Sequence, residues 1–435
     1  MKRRDFLANT SLFLGSLPLL NNVSAQAGLP NFRDNNFNPN DWPSVRKQFS
    51  LTTSRIHLAT FLLASHPKPV AEAIERHRRE FDNDPVHHWH EHFMTAEPAQ
   101  RAAAAEYLGT NPDHIALTDS TTMGLSIIYG TIKLDQGEEI LTTTHDHYAT
   151  EMSLRHRAER TGATVRQISL YDEPEQANTD EIISRMLDGI RDNTKVFAVT
   201  WVHSSTGVKL PIAAMAQALK QLNSSHAPED RVLFCVDGVH GLGIENVKIE
   251  ELGCDFFMAG THKWIFGPRG TGIVWGRPEA WKKVSPVIPG FGMSYGAWLG
   301  AVPLEAIPVG DHMSPGGFHS FEHRWALEEA FKFHMSIGKQ RIQDRIHSLN
   351  TLMKEGLAEM SHVELRTPMD SSLSSGLVCF DIKGHSADEV VNHLMKRDIV
   401  ASSTPYRVTH ARFAPSVINN EDEIQQALEA VRALG

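Results

Sequence analysis

Cysteine is scarce, with three residues, Cys235, Cys254 and Cys379, in a chain of 435. An odd and small number builds no disulfide framework. Cys235 and Cys379 sit inside apolar runs, where a buried free thiol is the expected state. An excess of basic charge is missing too. Lys and Arg number 42 against 52 Asp and Glu, for a formal net charge of −10. That balance argues against a nucleic acid or an anionic membrane as partner, since either would require a positive surface. There is no internal repeat, and no apolar stretch reaches the ~20 residues of a membrane-spanning helix. What remains is 41% hydrophobic and 22% charged, the profile of an ordinary soluble globular chain. The length implies two or three domains.

The first residues form a separate object. Lys2, Arg3 and Arg4 make a positive start, Asp5-Phe-Leu7 follows, an apolar stretch runs to Leu20, and small residues close it at Val23-Ser-Ala25. This is the three-part layout of a cleaved export signal. The Arg-Arg-Asp-Phe-Leu string resembles a twin-arginine signal, an address read by the twin-arginine export machinery. Cleavage is expected near Ala25 or Ala27, and the mature protein in the periplasm. Residues 1–27 are thus assigned to the signal and 28–55 to a polar lead-in, irregular from about Pro30 to Leu51.

Farther on, apolar strands and amphipathic helices alternate. Pro67–Phe81 carries Val70, Ala73, Ile74 and His77 on one side, as a helix does. Strands are expected at 114–118, 139–143, 196–201, 232–236, 256–258 and 272–275. Helices are expected at 121–132, after 143 through Arg160, and at 212–222. Such alternation implies an α/β fold with a mostly parallel sheet, whose ligands bind beyond the carboxyl ends of the strands. Residues 56–300 are read as the large domain. A Pro- and Gly-rich stretch around 302–317 then breaks the pattern. Residues 301–435 read as a smaller α+β domain, with a helix over 325–360, strands near 377–380 and 399–403, and a last helix from Glu421.

Four short motifs fall at the expected strand ends. In Gly260-Thr-His-Lys-Trp264 a lysine follows an apolar strand among small residues. A poorly solvated amine there favours imine chemistry, although a loop lysine with a snorkelling head is the ordinary alternative. Asp237-Gly-Val-His240 puts a carboxylate at a strand end, where it could face a pyridine nitrogen or simply cap a turn. Ser120-Thr-Thr122 opens a helix, where hydroxyls and backbone N–H groups suit a phosphate or ordinary capping. Asp146-His-Tyr148 offers an imidazole that could stack on a flat ring.

The order and spacing of these motifs resemble the class V aminotransferase family of fold-type I pyridoxal-phosphate (PLP) enzymes, from about Ile56 to the C-terminus. His262-Lys-Trp264 is most similar to the isopenicillin N epimerase branch. The resemblance implies a large domain built on a mostly parallel seven-stranded sheet, and pyridoxal 5′-phosphate as cofactor. It implies Lys263 as the Schiff-base lysine and catalytic proton shuttle, and Asp237 as partner of the pyridine nitrogen. His240 and Ser204 are expected beside the phenolic oxygen, and His147 stacked on the ring. Thr121, Thr122 and His262 are expected at the phosphate, and Arg412 on the substrate carboxylate, a task suited to a bidentate guanidinium. It also implies a homodimer and an amino acid or peptide amine as substrate. With the export signal and Phe321-Glu-His-Arg-Trp325, the chain further resembles exported, pyoverdine-tailoring PLP enzymes, which act on a glutamate side chain of a peptide siderophore.

The chain departs from the family pattern in places. Gly260 stands where many relatives carry Ser, which removes a phosphate donor. Phe321-Glu-His-Arg324 replaces a Phe-Glu-Gly-Thr run that usually reaches the neighbouring subunit's cofactor. The segment 402–410 has no cysteine where desulfurases keep theirs, which argues against sulfur mobilisation. Transamination is therefore the leading expectation, followed by epimerisation and then C–S lysis. Two readings of other classes compete: an exported binding protein that lost catalysis, and a zinc hydrolase built on His87, His88, His90 and His92. Lys263, Asp237 and Arg412 together argue against the first. The histidines read as a pocket-rim or surface cluster with no metal, because no carboxylate stands where a zinc protease needs it.

Overall fold

The computed structural model describes residues 37–435. The export signal, its cleavage sites and the start of the lead-in lie outside the described residues. Among those described, no helix is long and apolar enough to cross a membrane.

A short strand, β1 (Ile56–His57), precedes the main sheet. The sheet is built from β2 (Ile115–Thr118), β3 (Glu139–Thr143), β4 (Thr164–Ile168), β5 (Thr194–Thr200), β6 (Leu233–Asp237), β7 (Phe256–Gly260) and β8 (Gly272–Gly276), in the order β2-β8-β7-β6-β5-β3-β4. All run parallel except β8, which is antiparallel to both its neighbours. The central strands are continuous apolar runs because helices cover both faces. Val196, Phe197, Ala198 and Val199 of β5 are all fully buried. The expected seven-stranded, mostly parallel sheet is present. The strand of this sheet absent from the sequence reading is β4, a half-exposed edge whose Thr-Val-Arg-Gln-Ile is too polar to stand out as a strand.

The second sheet is antiparallel. Its strands are β9 (Val363–Leu365), β10 (Val378–Ile382), β12 (Ser402–Ser403) and β13 (Ala411–Phe413), in the order β12-β13-β10-β9. Strand β11 (Ile399–Val400) instead pairs in parallel with β1. Two hydrophobic cores result. One, with Leu125, Ile128, Val196, Met258 and Trp281, lies against the main sheet. The other, with Leu349, Met353, Phe380, Phe413 and Leu428, lies beneath the C-terminal helices.

Contacts cross the expected division at 300/301. Met313 belongs to the main-sheet core, and helix Leu327–Ile337 packs on helix Ala96–Leu108. Leu58, at the other end, is part of the C-terminal core, because the unpaired edge of β1 finds its hydrogen bonds on β11. The single helix expected over 325–360 is two, Leu327–Ile337 and Lys339–Ala358. Gly338 separates them at φ +96°, a conformation outside any helix. The lead-in also contains a short helix, Trp42–Arg46, capped by Asp41.

Candidate active site

Because β3, β5, β6 and β7 are parallel, their carboxyl ends open on one edge of the sheet. Every chemistry-bearing motif of the large domain follows one of these ends or the adjacent β2.

Lys263 lies three residues beyond β7 and is half-buried. Its Nζ is 3.3 Å from His240 Nε2. The indole Nε1–H of Trp264 donates to His240 Nδ1 at 3.2 Å. Nδ1 is therefore an acceptor, and in the neutral imidazole the proton resides on Nε2. Burial, then the nearby charges of Lys263 and Arg412, push the His240 pKa well down, so the ring is neutral. Its Nε2–H faces an amine that accepts most readily when it is itself uncharged. Burial lowers the Lys263 pKa in the same direction, against the opposing charge of Asp237.

Asp237 closes β6 and is 2% exposed. Among the described residues its carboxylate accepts one hydrogen bond, from the Val239 N–H at 3.1 Å. Burial raises its pKa, with Lys263 acting in the opposite sense. Such a carboxylate lacks a hydrogen-bonded cation, and a pyridinium N–H would supply one.

His147 caps helix Tyr148–Thr161, its Nδ1 accepting from Ala149 N–H at 3.2 Å. Its neighbour Asp146 fixes this turn. One carboxylate oxygen of Asp146 accepts from Thr142 Oγ1, Thr143 N and Thr143 Oγ1, and the other from Thr200 N at 2.6 Å. The ends of β3 and β5 are thereby tied together beneath the His147 ring.

At helix Thr121–Thr131, Ser120 is the cap and accepts from Met123 N–H. Thr121 Oγ1 accepts the Gly260 N–H at 2.7 Å and keeps its own hydroxyl proton to donate. A Cβ on residue 260 would lie 2.8 Å from that oxygen, so Gly260 is what admits Thr121. Thr122 is exposed and His262 half-buried. Burial and the adjacent Lys263 lower the His262 pKa.

Arg412, on β13, is 2% exposed. Its Nη1 donates to the Ser204 carbonyl at 2.6 Å and its Nε to Ser402 Oγ at 3.2 Å. The guanidinium stacks over Phe61, 4.5 Å from the ring centroid. No carboxylate of the described residues pairs with it. Ser204 Oγ is 2.7 Å from the hydroxyl of Tyr406, whose ring meets His147 edge-on at 6.1 Å.

The structure thus places Lys263, Asp237, His240, His147, Ser204, Thr121, His262 and Arg412 beyond the carboxyl ends of these strands, linked by the contacts above, while Thr122 makes no hydrogen bond there among the described residues. Sequence reasoning missed Tyr406, Phe61 and the indole of Trp264. Tyr406 is the one aromatic residue in the segment 402–410, and that was its only trace in the sequence. Arg324, in the altered Phe321-Glu-His-Arg324 run, is buried and pairs within its own chain with Glu97 at 2.8 Å and Asp119 at 3.1 Å.

A pyridoxal phosphate fits these residues. A buried carboxylate awaits a pyridinium, an amine of lowered basicity stands beside it, and a hydroxyl at a helix N-terminus suits the phosphate. Comparison with known proteins agrees. Residues 63–411 match the family model described as Aminotransferase class-V. The isopenicillin N epimerase of Streptomyces clavuligerus is 23% identical over 409 residues, covering 91% of this chain and 98% of that one. A probable cysteine desulfurase of Halalkalibacterium halodurans is 25% identical over 336 residues, covering 75% and 78%. Among solved structures, the cystine C-S lyase C-DES with glycine covalently linked to its PLP cofactor superposes with a TM-score of 0.80 at 20% identity, over 90% of this chain and 99% of that one. The cysteine desulfurase CsdA of Escherichia coli gives 0.74 at 20% identity, over 92% and 98%. With strand-end chemistry, fold and family model in agreement, the chain belongs to the class-V aminotransferase family and is a PLP-dependent enzyme.

Proposed function

We propose that this is an exported enzyme that removes the amino group of a substrate that also carries a carboxylate, in an aminotransferase-type reaction. The observation that carries the reading is Arg412. A buried guanidinium with no carboxylate partner among the described residues is costly to keep, and a substrate carboxylate would complete it with two parallel hydrogen bonds.

In this reading Asp237 would pair with the pyridine nitrogen, His147 would lie on the ring, and His240 and Ser204 would flank the phenolic oxygen. Thr121 and His262, with the exposed Thr122 at the same helix start, would hold the phosphate. When bound, PLP supplies an electron sink for negative charge that develops beside the substrate amine. Lys263 Nζ, kept partly uncharged by burial, would take the proton from the substrate carbon and hand it on to the cofactor, so that the substrate leaves as the oxo compound and its amino group stays with the cofactor. Arg412 fixes the carboxylate so that this C–H bond faces Nζ. Phe61 lies against the Arg412 guanidinium, and Tyr406 bonds to Ser204, whose carbonyl Arg412 holds, so both limit the water around it.

The chain offers no exposed cysteine for a persulfide-forming route. All three cysteines are buried, and burial pushes the Cys379 thiol up to about 12, far from the thiolate such chemistry requires. A second reading, epimerisation, is favoured by the similarity to isopenicillin N epimerase along 91% of the chain.

The export reading rests on Arg3-Arg4 and the apolar stretch after them. A homodimer is part of the proposal, supported by the exposed apolar side chains Val287, Phe291, Tyr295, Trp298 and Phe318, since clustered exposed apolar groups mark interaction surfaces.

The test is incubation of the PLP-loaded enzyme with amino acids and amine-bearing peptides, siderophore peptides included. An oxo product, with matching conversion of the cofactor to its amine form, is expected. Inverted stereochemistry without oxo product would replace transamination by epimerisation. Turnover of amines that lack any carboxylate, at equal KM, would overturn the role given to Arg412.

A further inference from the structure

We infer that His88, Glu91 and His92 form a site for one divalent cation of the zinc class, outside the reading given above. The three residues lie on helix Pro85–His92 at positions i, i+3 and i+4, which share one face. One ligand atom from each lies within 4.8 Å of those of the others. Two histidines one turn apart on a helix face are a spacing that binds zinc. Spacing alone argues against a metal, because no carboxylate stands where a zinc protease needs it. The structure adds what spacing did not contain, the groups behind the ligands.

His92 Nδ1 is 3.0 Å from the His88 carbonyl oxygen. A carbonyl only accepts, so Nδ1 carries the proton and the lone pair of Nε2 is left for a ligand. His88 Nε2 is 3.1 Å from His77 Nδ1, on helix Lys68–Asn83. Donation from His88 to His77 leaves His88 a lone pair as well. Each imidazole then gives its second N–H to an acceptor behind it, the arrangement that orients metal-bound histidines. Trp325 packs beneath, stacked on His92 at 5.6 Å and edge-on to His77 at 5.7 Å, so the rings cannot swing freely. His88 is buried, His92 half-buried and Glu91 exposed, which leaves a solvent path for the ion. Glu91 pairs at present with His87 at 3.3 Å, an exposed contact that costs little to exchange. Two nitrogens, one carboxylate and a water make a zinc coordination set. Through His77 the ion ties the two helices together.

The probes are Zn²⁺ and Co²⁺, added to the PLP-loaded protein after chelator treatment and dialysis. Expected is one Zn²⁺ per chain with a dissociation constant below about 1 µM, and Co²⁺ bands of low coordination number. The variant H92Q should lose Zn²⁺ affinity by about 100-fold or more, and H77A by about 10-fold. The cofactor's visible absorbance should stay unchanged in both. A wild-type protein that binds Zn²⁺ only weaker than about 10 µM, or an H92Q variant with undiminished affinity, overturns the site. The wild-type measurement stands even if a variant fails to fold.

Discussion

Trp264 and His240 are joined by a hydrogen bond of 3.2 Å in which the indole N–H is the donor. This one contact decides which His240 nitrogen holds the proton, and so what Lys263 meets at 3.3 Å. Removing the indole donor in Trp264→Phe frees Nδ1 to hold the proton instead. Nε2 can then accept from a charged Lys263, whose pKa rises. The acidic limb of the pH profile for kcat/KM should move to higher pH, and the maximum should fall by about five-fold, the value of one hydrogen bond. A profile shifted downward as a whole, with its limbs in place, would indicate that Trp264 only fills space.

Arg412→Lys keeps the charge but loses the fork. It should raise KM for the carboxylate-bearing substrate by roughly 30-fold, about 2 kcal/mol, with PLP affinity unchanged. Steady-state kinetics beside a PLP titration separates the two effects.

Gly260→Ala tests the fit of Thr121. The new Cβ would lie 2.8 Å from Thr121 Oγ1 and must displace either the hydroxyl or the β7 end. PLP affinity should fall by about 1 to 3 kcal/mol, read by cofactor titration. An unaltered affinity would mean that Thr121 does not contribute to holding the phosphate.

Stability should depend on pH through buried histidines. Burial takes both His203 and His334 from 6.5 down to about 3. A folded-state pKa below the unfolded value means that the unfolded chain binds more protons as pH falls. Their contribution is complete above pH 6.5 and is lost between there and about 3. Each group removes about 1.4 kcal/mol per pH unit within that window. The melting temperature should be level from pH 7 to 8 and fall steadily below 6.5. His203→Gln should make that fall shallower.

The sheet was legible wherever a strand was buried on both faces. The strands around Val196, Phe234, Phe256 and Ile273 stand out as apolar runs, and Glu139–Thr143 as a short β-branched stretch. Edge strand β4 was not, since its half-exposed, polar residues read as a loop. The break at Gly338 was ambiguous, because a glycine within an apolar period either continues a helix or ends it. Lys263, Asp237, His147 and Thr121 were legible because each lies at or within four residues of a strand's carboxyl end, where chain order and spatial order coincide. Tyr406, Phe61 and the His77–His88 contact were not. They arise from segments hundreds of residues apart, or from separate helices, meeting only once the chain has folded.

The most direct measurement is an absorption spectrum of the purified protein with PLP, taken beside Lys263→Ala, followed by borohydride reduction and peptide mapping. The wild type should carry a visible band from cofactor bound covalently to lysine. Reduction should leave a stable pyridoxyl label on Lys263, and the variant should show no lysine adduct. A wild-type protein that stays colourless with added PLP, or a label on another lysine, would contradict the assignment of Lys263.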